Sequence, residues 1–178
     1  MPRRRQCRTL HLHTRSTAAS QAMLKLGELR LRCAIGRAGI VARKREGDSA
    51  TPAGTWRLLE VLWRRDRGRR PICRLPVRAI RTDDGWCDAP GDRNYNRPVR
   101  HPYAASAERL WRDDHLYDVV VVLDHNRSPR VRGRGSAIFM HVARPAYEPT
   151  EGCIALAEQD LRRLLIHLGR GARIVIRR

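Results

Sequence analysis

The stretch HVARPAYEPTEGCIAL, residues 141–156, decides how the C-terminal part of this chain folds. It continues an apolar run, SAIFMHV at 136–142, which predicts a strand ending in a histidine. A loop with two prolines follows and can bring Cys153 back beside His141. After the cysteine, EQDLRRLLIHLG predicts an amphipathic helix with Gly169 as its C-cap. The sequence therefore predicts a strand, a returning loop, a cysteine and a helix, in that order.

Cys153 can be interpreted in two ways from these residues alone. A cysteine nucleophile needs thiolate character, a nearby base, hydrogen-bond donors for an oxyanion, and access for the substrate. His141 offers the base, Gly152 lets a substrate approach the backbone, and the dipole of the following helix would favour a thiolate if it points at the sulphur. A buried thiol near a core histidine is also common, and the spacing alone favours that inert interpretation.

The rest of the chain predicts a β-rich α+β fold with one clear helix. Period-two alternation and short apolar runs indicate strands, and these lie at 9–13, 28–36, 55–64, 117–126 and 172–177. The run ICRLPVRAI contains a proline, which predicts an edge strand or an irregular segment. We assign residues 1–8 to a basic N-terminal tail and residues 9–178 to a single domain.

The polar segment 82–104 predicts a functional loop, because loops of this length in compact domains are usually functional or disordered. Its aromatic residues favour an ordered loop. Trp86, Tyr95 and Asn96 could line a groove for sugar or peptide, although Trp86 could equally plug the loop. Ser136 and Arg134, near the start of the strand that ends at His141, could also face the substrate.

Several side chains have a simpler expected role. SAERLWRDD at 106–114 predicts a short helix with Ser106 as its N-cap, and Trp111 is expected to pack in the core. His115 and His125 flank the valine-rich strand and are expected to be solvated.

Composition narrows the partners without identifying them. The formal charge of +19 attracts polyanions such as nucleic acid, an anionic membrane or an acidic polymer, but an arginine-coated surface would explain it as well. No nucleic-acid-binding motif accompanies the charge. The five cysteines form no CxxC pair and no HExxH occurs, so we expect no metal and no cofactor. Cys33 and Cys87 are expected to be buried thiols. We recognise no signal peptide and no membrane-length apolar run.

Two separated motifs resemble the YkuD-type L,D-transpeptidase family. The first is HVARPAYEPTEGCIAL, where the family has a histidine, a loop of about this length and then Ser/Thr-x-Gly-Cys; the matching residues are His141, Thr150, Gly152 and Cys153. The second is GRAGIVARKREGDSATPAGTWRL at 36–58, which is similar to the family's N-terminal half-signature. Because the two occur in the family's order, they are more specific together than either alone.

The resemblance implies a YkuD-like fold of mixed strands, with a helix after the catalytic cysteine, and a cysteine acyltransferase that acts on peptidoglycan stem peptides. It implies that Cys153 is the nucleophile and His141 its base, and that Gly152 and Cys153 N–H groups bind the oxyanion while Thr150 holds the loop. A backbone carbonyl near the histidine would orient its ring. The implied compartment is the periplasm or cell wall, and we expect a monomer that binds no nucleic acid.

The chain departs from the family's usual pattern at two positions. Glu151 stands where histidine is common, and Ala155 where arginine or asparagine is common, so the choice of donor stem is open at these positions. GWCD…GDRNYNRPV resembles a compact proteobacterial-like branch of the family. This resemblance adds a 1–3 bond between L-alanine and diaminopimelate as a second candidate crosslink beside the usual 3–3 bond. A YkuD-type hydrolase and a basic nucleic-acid-binding module remain the alternatives.

Overall fold

A nine-stranded sheet forms the main body of the protein in the computed structural model, which describes residues 9–14 and 19–177. The strands in spatial order are β11 (Val119–Leu123), β12 (Phe139–Val142), β13 (Ile154–Leu156), β3 (Leu29–Ala34), β2 (Gln21–Leu26), β1 (Thr9–His13), β14 (Arg173–Ile176), β6 (Gly54–Trp63) and β7 (Val77–Ala79). β11 also pairs with β6, so the sheet closes on itself like a barrel and β7 lies at an edge. The predicted tail 1–8 lies outside the described residues.

The burial pattern explains why these segments became strands. β1 and β2 alternate between buried and less buried positions, as expected for strands with one face on a core. β11 is buried along its whole length, because Val119 and Val121 contact the larger of two hydrophobic cores and Val120 and Val122 the smaller. A strand covered on both faces needs a continuous apolar run, and VVVVL provides it.

A separate three-stranded sheet corrects two predictions for residues 82–114. The segment predicted to be one long loop contains β8 (Asp84–Cys87) and β9 (Pro98–Arg100), and the predicted helix contains β10 (Ala107–Arg109). β8 is the central strand, with β9 and β10 antiparallel on either side. Helix propensity is a weak preference, and pairing with β8 overrides it here. A two-stranded ladder of β4 (Ile40–Val41) and β5 (Thr51–Pro52) completes the strands.

One α-helix, α1 (Glu158–Leu165), follows β13. Three of its leucines are buried in the larger core, as the amphipathic pattern predicts, but its C-cap is Ile166 and not Gly169. The helix begins at the far end of β13 from Cys153. Four residues of extended chain span about 13 Å, and a helix dipole acts mainly within its first turn. The helix therefore does not favour a thiolate at Cys153.

The histidines, Trp111 and the cysteines differ in how well their burial was predicted from the sequence. His115 is exposed as predicted, whereas His125 is buried and packs edge-on against Trp56 with 4.6 Å between ring centroids. Trp111 is only partly buried, with the Arg64 guanidinium 3.7 Å from its ring centroid. The described cysteines are all free, and Cys33 and Cys87 are buried as predicted. Within the described residues, no helix has the length and apolar character needed to cross a membrane.

Candidate active site

His141 on β12 and Cys153, the residue directly before β13, face the same side of these two adjacent strands. β12 and β13 are parallel, with Met140 beside Ile154 and His141 beside Ala155. Alternation therefore turns Met140 and Ile154 to the larger core and His141, Ala155 and Cys153 to the opposite face. Cys153 lies two residues before Ala155, which is the neighbour of His141 on the adjacent strand. The Cα atoms of His141 and Cys153 are therefore about 8 Å apart. Both side chains line one cavity of about 550 Å³.

The His141 ring is fixed by its own strand and by one aromatic neighbour. Its Nδ1 lies 2.8 Å from the carbonyl oxygen of Val142, and since a carbonyl only accepts, Nδ1 carries the proton. The Tyr117 ring packs against the imidazole at 5.3 Å between centroids. Burial lowers the pKa of His141 to about 4, so the ring is neutral near pH 7 with Nε2 as its basic atom. The Val142 carbonyl is the ring-orienting group that the sequence did not locate.

The Cys153 thiol is held between two backbone groups. Its Sγ donates to the carbonyl of Ala137 at 3.2 Å and accepts from the N–H of Phe139 at 3.4 Å. Burial, followed by the nearby charge of Glu108, raises the pKa of Cys153 to about 12. The resting pair is therefore a neutral thiol and a neutral imidazole, and the thiolate forms only when the proton moves.

The three residues of segment 82–104 predicted to line a groove lie instead beneath the site. Trp86, Tyr95 and Asn96 are each at most 2% exposed. The Asn96 side-chain oxygen accepts from Trp86 Nε1 at 3.0 Å and from the N–H of Ala137 at 3.1 Å. Ala137 has a positive φ of 50°, a conformation that needs such support. Asn96, itself held by Trp86, thus supports the residue whose carbonyl accepts from the thiol, whereas the Tyr95 hydroxyl binds Glu46.

Thr51 joins the two sequence motifs directly. Its buried hydroxyl accepts from the N–H of Gly36 at 2.8 Å and donates to the carbonyl of Gly152 at 2.9 Å. Both glycines pack so closely on Ala50 that a Cβ would come within 2.8 Å of its backbone, and Gly152 also has a φ of +134°. The residue before Cys153 is therefore positioned by a segment about 100 residues away in the sequence.

Thr150 organises the turn that presents Cys153. Its hydroxyl donates to the Cys153 carbonyl at 2.7 Å and accepts from the N–H of Gly152 at 3.1 Å. The Gly152 N–H is therefore already engaged, which weakens its predicted role as an oxyanion donor. Glu151, which departs from the family pattern, is bound by the Ser49 hydroxyl and lies 3.2 Å from Arg37 at the cavity rim.

The cavity includes some of the predicted substrate residues and several that the sequence did not indicate. Ser136, Thr150 and Glu151 line it, but Arg134 lines a separate cavity of about 430 Å³ beside Trp56 and His125. The residues missed by sequence reasoning are Glu46, Asp88, Glu108, Arg112, Tyr117, Arg144 and Glu148. They come from other segments and follow no motif, so only the folded chain brings them to Cys153. No cluster of histidine, cysteine and carboxylate groups suited to a metal ion occurs in the described parts of the chain.

Residues 16–176 match the family model for YkuD, the L,D-transpeptidase catalytic domain. The chain belongs to the YkuD family. Searches of curated proteins and of solved structures gave no significant match. The match covers nearly the whole chain, and the β-rich, barrel-like sheet is consistent with a YkuD fold. The YkuD family acts on peptidoglycan, which implies an extracytoplasmic location.

Proposed function

We propose that this YkuD protein is a cysteine acyltransferase that crosslinks peptidoglycan stem peptides through a thioester on Cys153. The observation that carries the proposal is the shared cavity, into which Cys153 and His141 open from the same face of β12 and β13. Free volume of about 550 Å³ is in the range of sites that hold a small ligand or a peptide segment.

The first half-reaction forms the thioester. As Cys153 Sγ attacks the carbonyl carbon of an L,D bond in the donor stem, its proton passes to Nε2 of His141. The tetrahedral intermediate then collapses, the C–N bond breaks, and the leaving amine takes the proton from the imidazolium. The Val142 carbonyl supports this role, because its bond to Nδ1–H keeps Nε2 free to accept the proton.

The second half-reaction transfers the acyl group to an amine. The nitrogen of an acceptor diaminopimelate attacks the thioester carbonyl, its proton passes through His141 to the leaving sulphur, and the C–S bond is exchanged for an amide bond. We assign the oxyanion to the Cys153 N–H, with the Gly152 N–H able to join only if it leaves Thr150. With water as acceptor the same thioester would be hydrolysed.

The bond type and the compartment belong to the same proposal. The donor can be cleaved after diaminopimelate, which gives a 3–3 crosslink, or after L-alanine, which gives a 1–3 crosslink. The substrate polymer places the reaction in the periplasm or cell wall. Glu151 and Ala155 are the positions at which donor choice is best tested. Ala155 lies beside His141 and lines the cavity, so it leaves room where a larger side chain would stand.

Intact-mass spectrometry on defined stems tests the proposal. Incubation with disaccharide-tripeptide or disaccharide-tetrapeptide should add one acyl group to the wild-type protein, and Cys153→Ala should remove the adduct. Cys73→Ala is the matched control, because Cys73 is also a partly buried free thiol.

The products of the same reactions separate the alternatives. Dimers indicate transfer, trimmed monomers indicate hydrolysis, and fragmentation of the dimer distinguishes 3–3 from 1–3 bonds. If no stem gives an adduct, or if Cys153→Ala keeps its activity, the acyltransferase proposal fails.

A further inference from the structure

The two most exposed large apolar side chains among the described residues lie on one surface. They are Ile72, which is 75% exposed, and Ile166, which is 55% exposed. We call the exposed residues of segments 65–74 and 163–170 the isoleucine surface. Single exposed apolar residues are common and need no explanation, but apolar residues grouped within a polar rim mark an interaction site.

Two hydrogen bonds bring the two segments of the isoleucine surface side by side. The Arg69 carbonyl accepts from Nη1 of Arg162 at 2.9 Å. Five residues further on, the N–H of Arg74 donates to the Leu168 carbonyl at 3.1 Å. The two segments therefore run alongside each other in the same direction. Both isoleucines lie between these contacts, so they belong to the same surface.

The outward position of Ile72 is fixed by its neighbours. Pro71 is buried, Cys73 packs against the larger hydrophobic core, and Leu75 is buried within that core. Ile72 thus stands between inward-facing residues that hold the segment to the protein. Its exposure is a property of the fold, and it costs apolar contact with water.

The rim of the isoleucine surface carries charge of one sign. Asp66 is the one acidic residue in these two segments, which the structure describes completely, and it pairs with the buried Arg64 at 2.7 Å. The exposed arginines form no ion pair with any described residue, so their charge is available to a partner; they are Arg65, Arg69, Arg70, Arg74, Arg163 and Arg170. Such a rim attracts an anionic partner.

The isoleucines distinguish between two kinds of anionic partner. A soluble polyanion would bind the arginines but leave both isoleucines in water. The surface of an anionic bilayer offers phosphates to the guanidiniums and an acyl boundary to the apolar side chains, and proteins that lie on membranes use both contacts together. The combination of charge and exposed isoleucine therefore favours the bilayer.

The active-site cavity lies away from the isoleucine surface. α1 packs against β12 on the side where Met140 and Ile154 face the larger core, whereas Cys153 and His141 face the opposite side of these strands. The cavity is lined by more carboxylates than guanidiniums, five against three, so an anionic surface would not be drawn to it. Contact through the isoleucine surface leaves the cavity open.

We propose that the isoleucine surface binds the protein to an anionic phospholipid bilayer, with Ile72 and Ile166 inserted among the headgroups and the surrounding arginines bound to lipid phosphates. This binding is separate from the acyltransferase function and does not require it. A protein held in this way presents the Cys153 cavity away from the membrane.

Sedimentation with lipid vesicles tests the inference. The wild-type protein should bind vesicles of phosphatidylcholine and phosphatidylglycerol but not vesicles of phosphatidylcholine alone, and high salt should weaken the binding. We expect Ile72→Asn to raise the dissociation constant by about 10-fold, because an apolar side chain no longer leaves water. The double variant Arg69→Gln/Arg70→Gln should raise it by about 25-fold, since each basic residue near an anionic leaflet contributes about fivefold.

Matched variants separate this surface from the general charge of the chain. Met23→Asn makes the same polar change at an exposed apolar position on β2 and should bind vesicles as wild type does. Arg97→Gln/Arg109→Gln removes two exposed arginines at the small sheet β8–β9–β10 and should have little effect. Ile72→Leu keeps an apolar side chain and should keep the affinity. Thermal unfolding checks that each variant is folded.

A soluble polyanion provides the remaining comparison. Binding of polyphosphate should be unchanged in Ile72→Asn and weaker in Arg69→Gln/Arg70→Gln. If vesicle binding follows the same pattern, the surface recognises charge alone and the inference is wrong. The inference also fails if the wild type does not bind anionic vesicles, or if Arg97→Gln/Arg109→Gln weakens binding as much as Arg69→Gln/Arg70→Gln does.

The catalytic proposal is tested independently of this one. Cys153→Ala should bind anionic vesicles as wild type does, and Ile72→Asn should be acylated by a soluble disaccharide-tetrapeptide at the wild-type rate. Failure of acylation therefore overturns the proposed function, whereas failure of vesicle binding overturns this inference.

Discussion

At the scale of single residues, Cys153 and His141 form a pair that is uncharged at rest. The thiol donates to Ala137 and the imidazole is held neutral by burial. Low-pKa catalytic cysteines instead lie beside a cation or at a helix N-terminus, and α1 begins on the wrong side of β13 to act in that way. We therefore expect proton transfer to accompany substrate attack and not to precede it.

Alkylation by iodoacetamide tests this state of the thiol. Because the pKa of Cys153 is raised from 9.0 to about 12, the thiolate fraction near pH 7 is about 1,000-fold below that of an ordinary cysteine. The sign of the shift means that reactivity grows as pH rises and levels off only near pH 12. Peptide mapping should show Cys153 alkylation rising steadily from pH 6 to pH 10. A plateau near neutral pH would indicate a preformed thiolate–imidazolium pair and contradict this prediction.

At the scale of elements, the sequence predicted those strands whose residues show period-two alternation or a continuous apolar run. Thr9–His13 and Leu29–Ala34 alternate, and Val119–Leu123 is a continuous apolar run, so each was recognised. The strands Asp84–Cys87 and Ala107–Arg109 were missed because they are short and form hydrogen bonds only within the small three-stranded sheet. Their β structure is set by tertiary pairing, which local propensity does not contain.

The link between the two sequence motifs gives a prediction at this scale. Thr51→Val keeps the shape of the side chain but leaves the N–H of Gly36 and the carbonyl of Gly152 without their partner. Each orphaned buried group costs about 1–3 kcal/mol. We expect a lower free energy of unfolding in urea and slower acylation of Cys153, because the Gly152 backbone loses its support. Thr51→Ser keeps the hydroxyl and serves as the control; equal losses in both variants would show that the methyl group matters and the hydroxyl bonds do not.

At the scale of the whole molecule, the fold explains which parts of the site the sequence could predict. His141 and Cys153 lie within 12 residues of each other, and their motif identified them. Glu108, Asp88 and Tyr117 reach the same cavity only because the small sheet β8–β9–β10 and strand β11 fold over β12. No motif or residue spacing in the sequence indicates that these residues lie close together. These residues of the cavity lining can therefore be recognised only from the structure.

The contrast between the basic chain and the acidic cavity leads to a prediction about salt. Although we expect no nucleic acid as a biological partner, a protein with a net charge of +19 should bind random-sequence duplex DNA non-specifically at low salt. Because this binding depends on counterion release, its affinity should fall by orders of magnitude between about 50 mM and about 200 mM salt. Acylation of Cys153 by a soluble disaccharide-tetrapeptide should change little over the same range, because it takes place in the cavity and not on the arginine surface. Cys153→Ala should bind DNA as wild type does, which separates the two properties. DNA affinity that survives high salt and depends on sequence would favour the nucleic-acid-binding alternative, and an acylation rate that falls in step with DNA release would show that the surface charge takes part in donor binding.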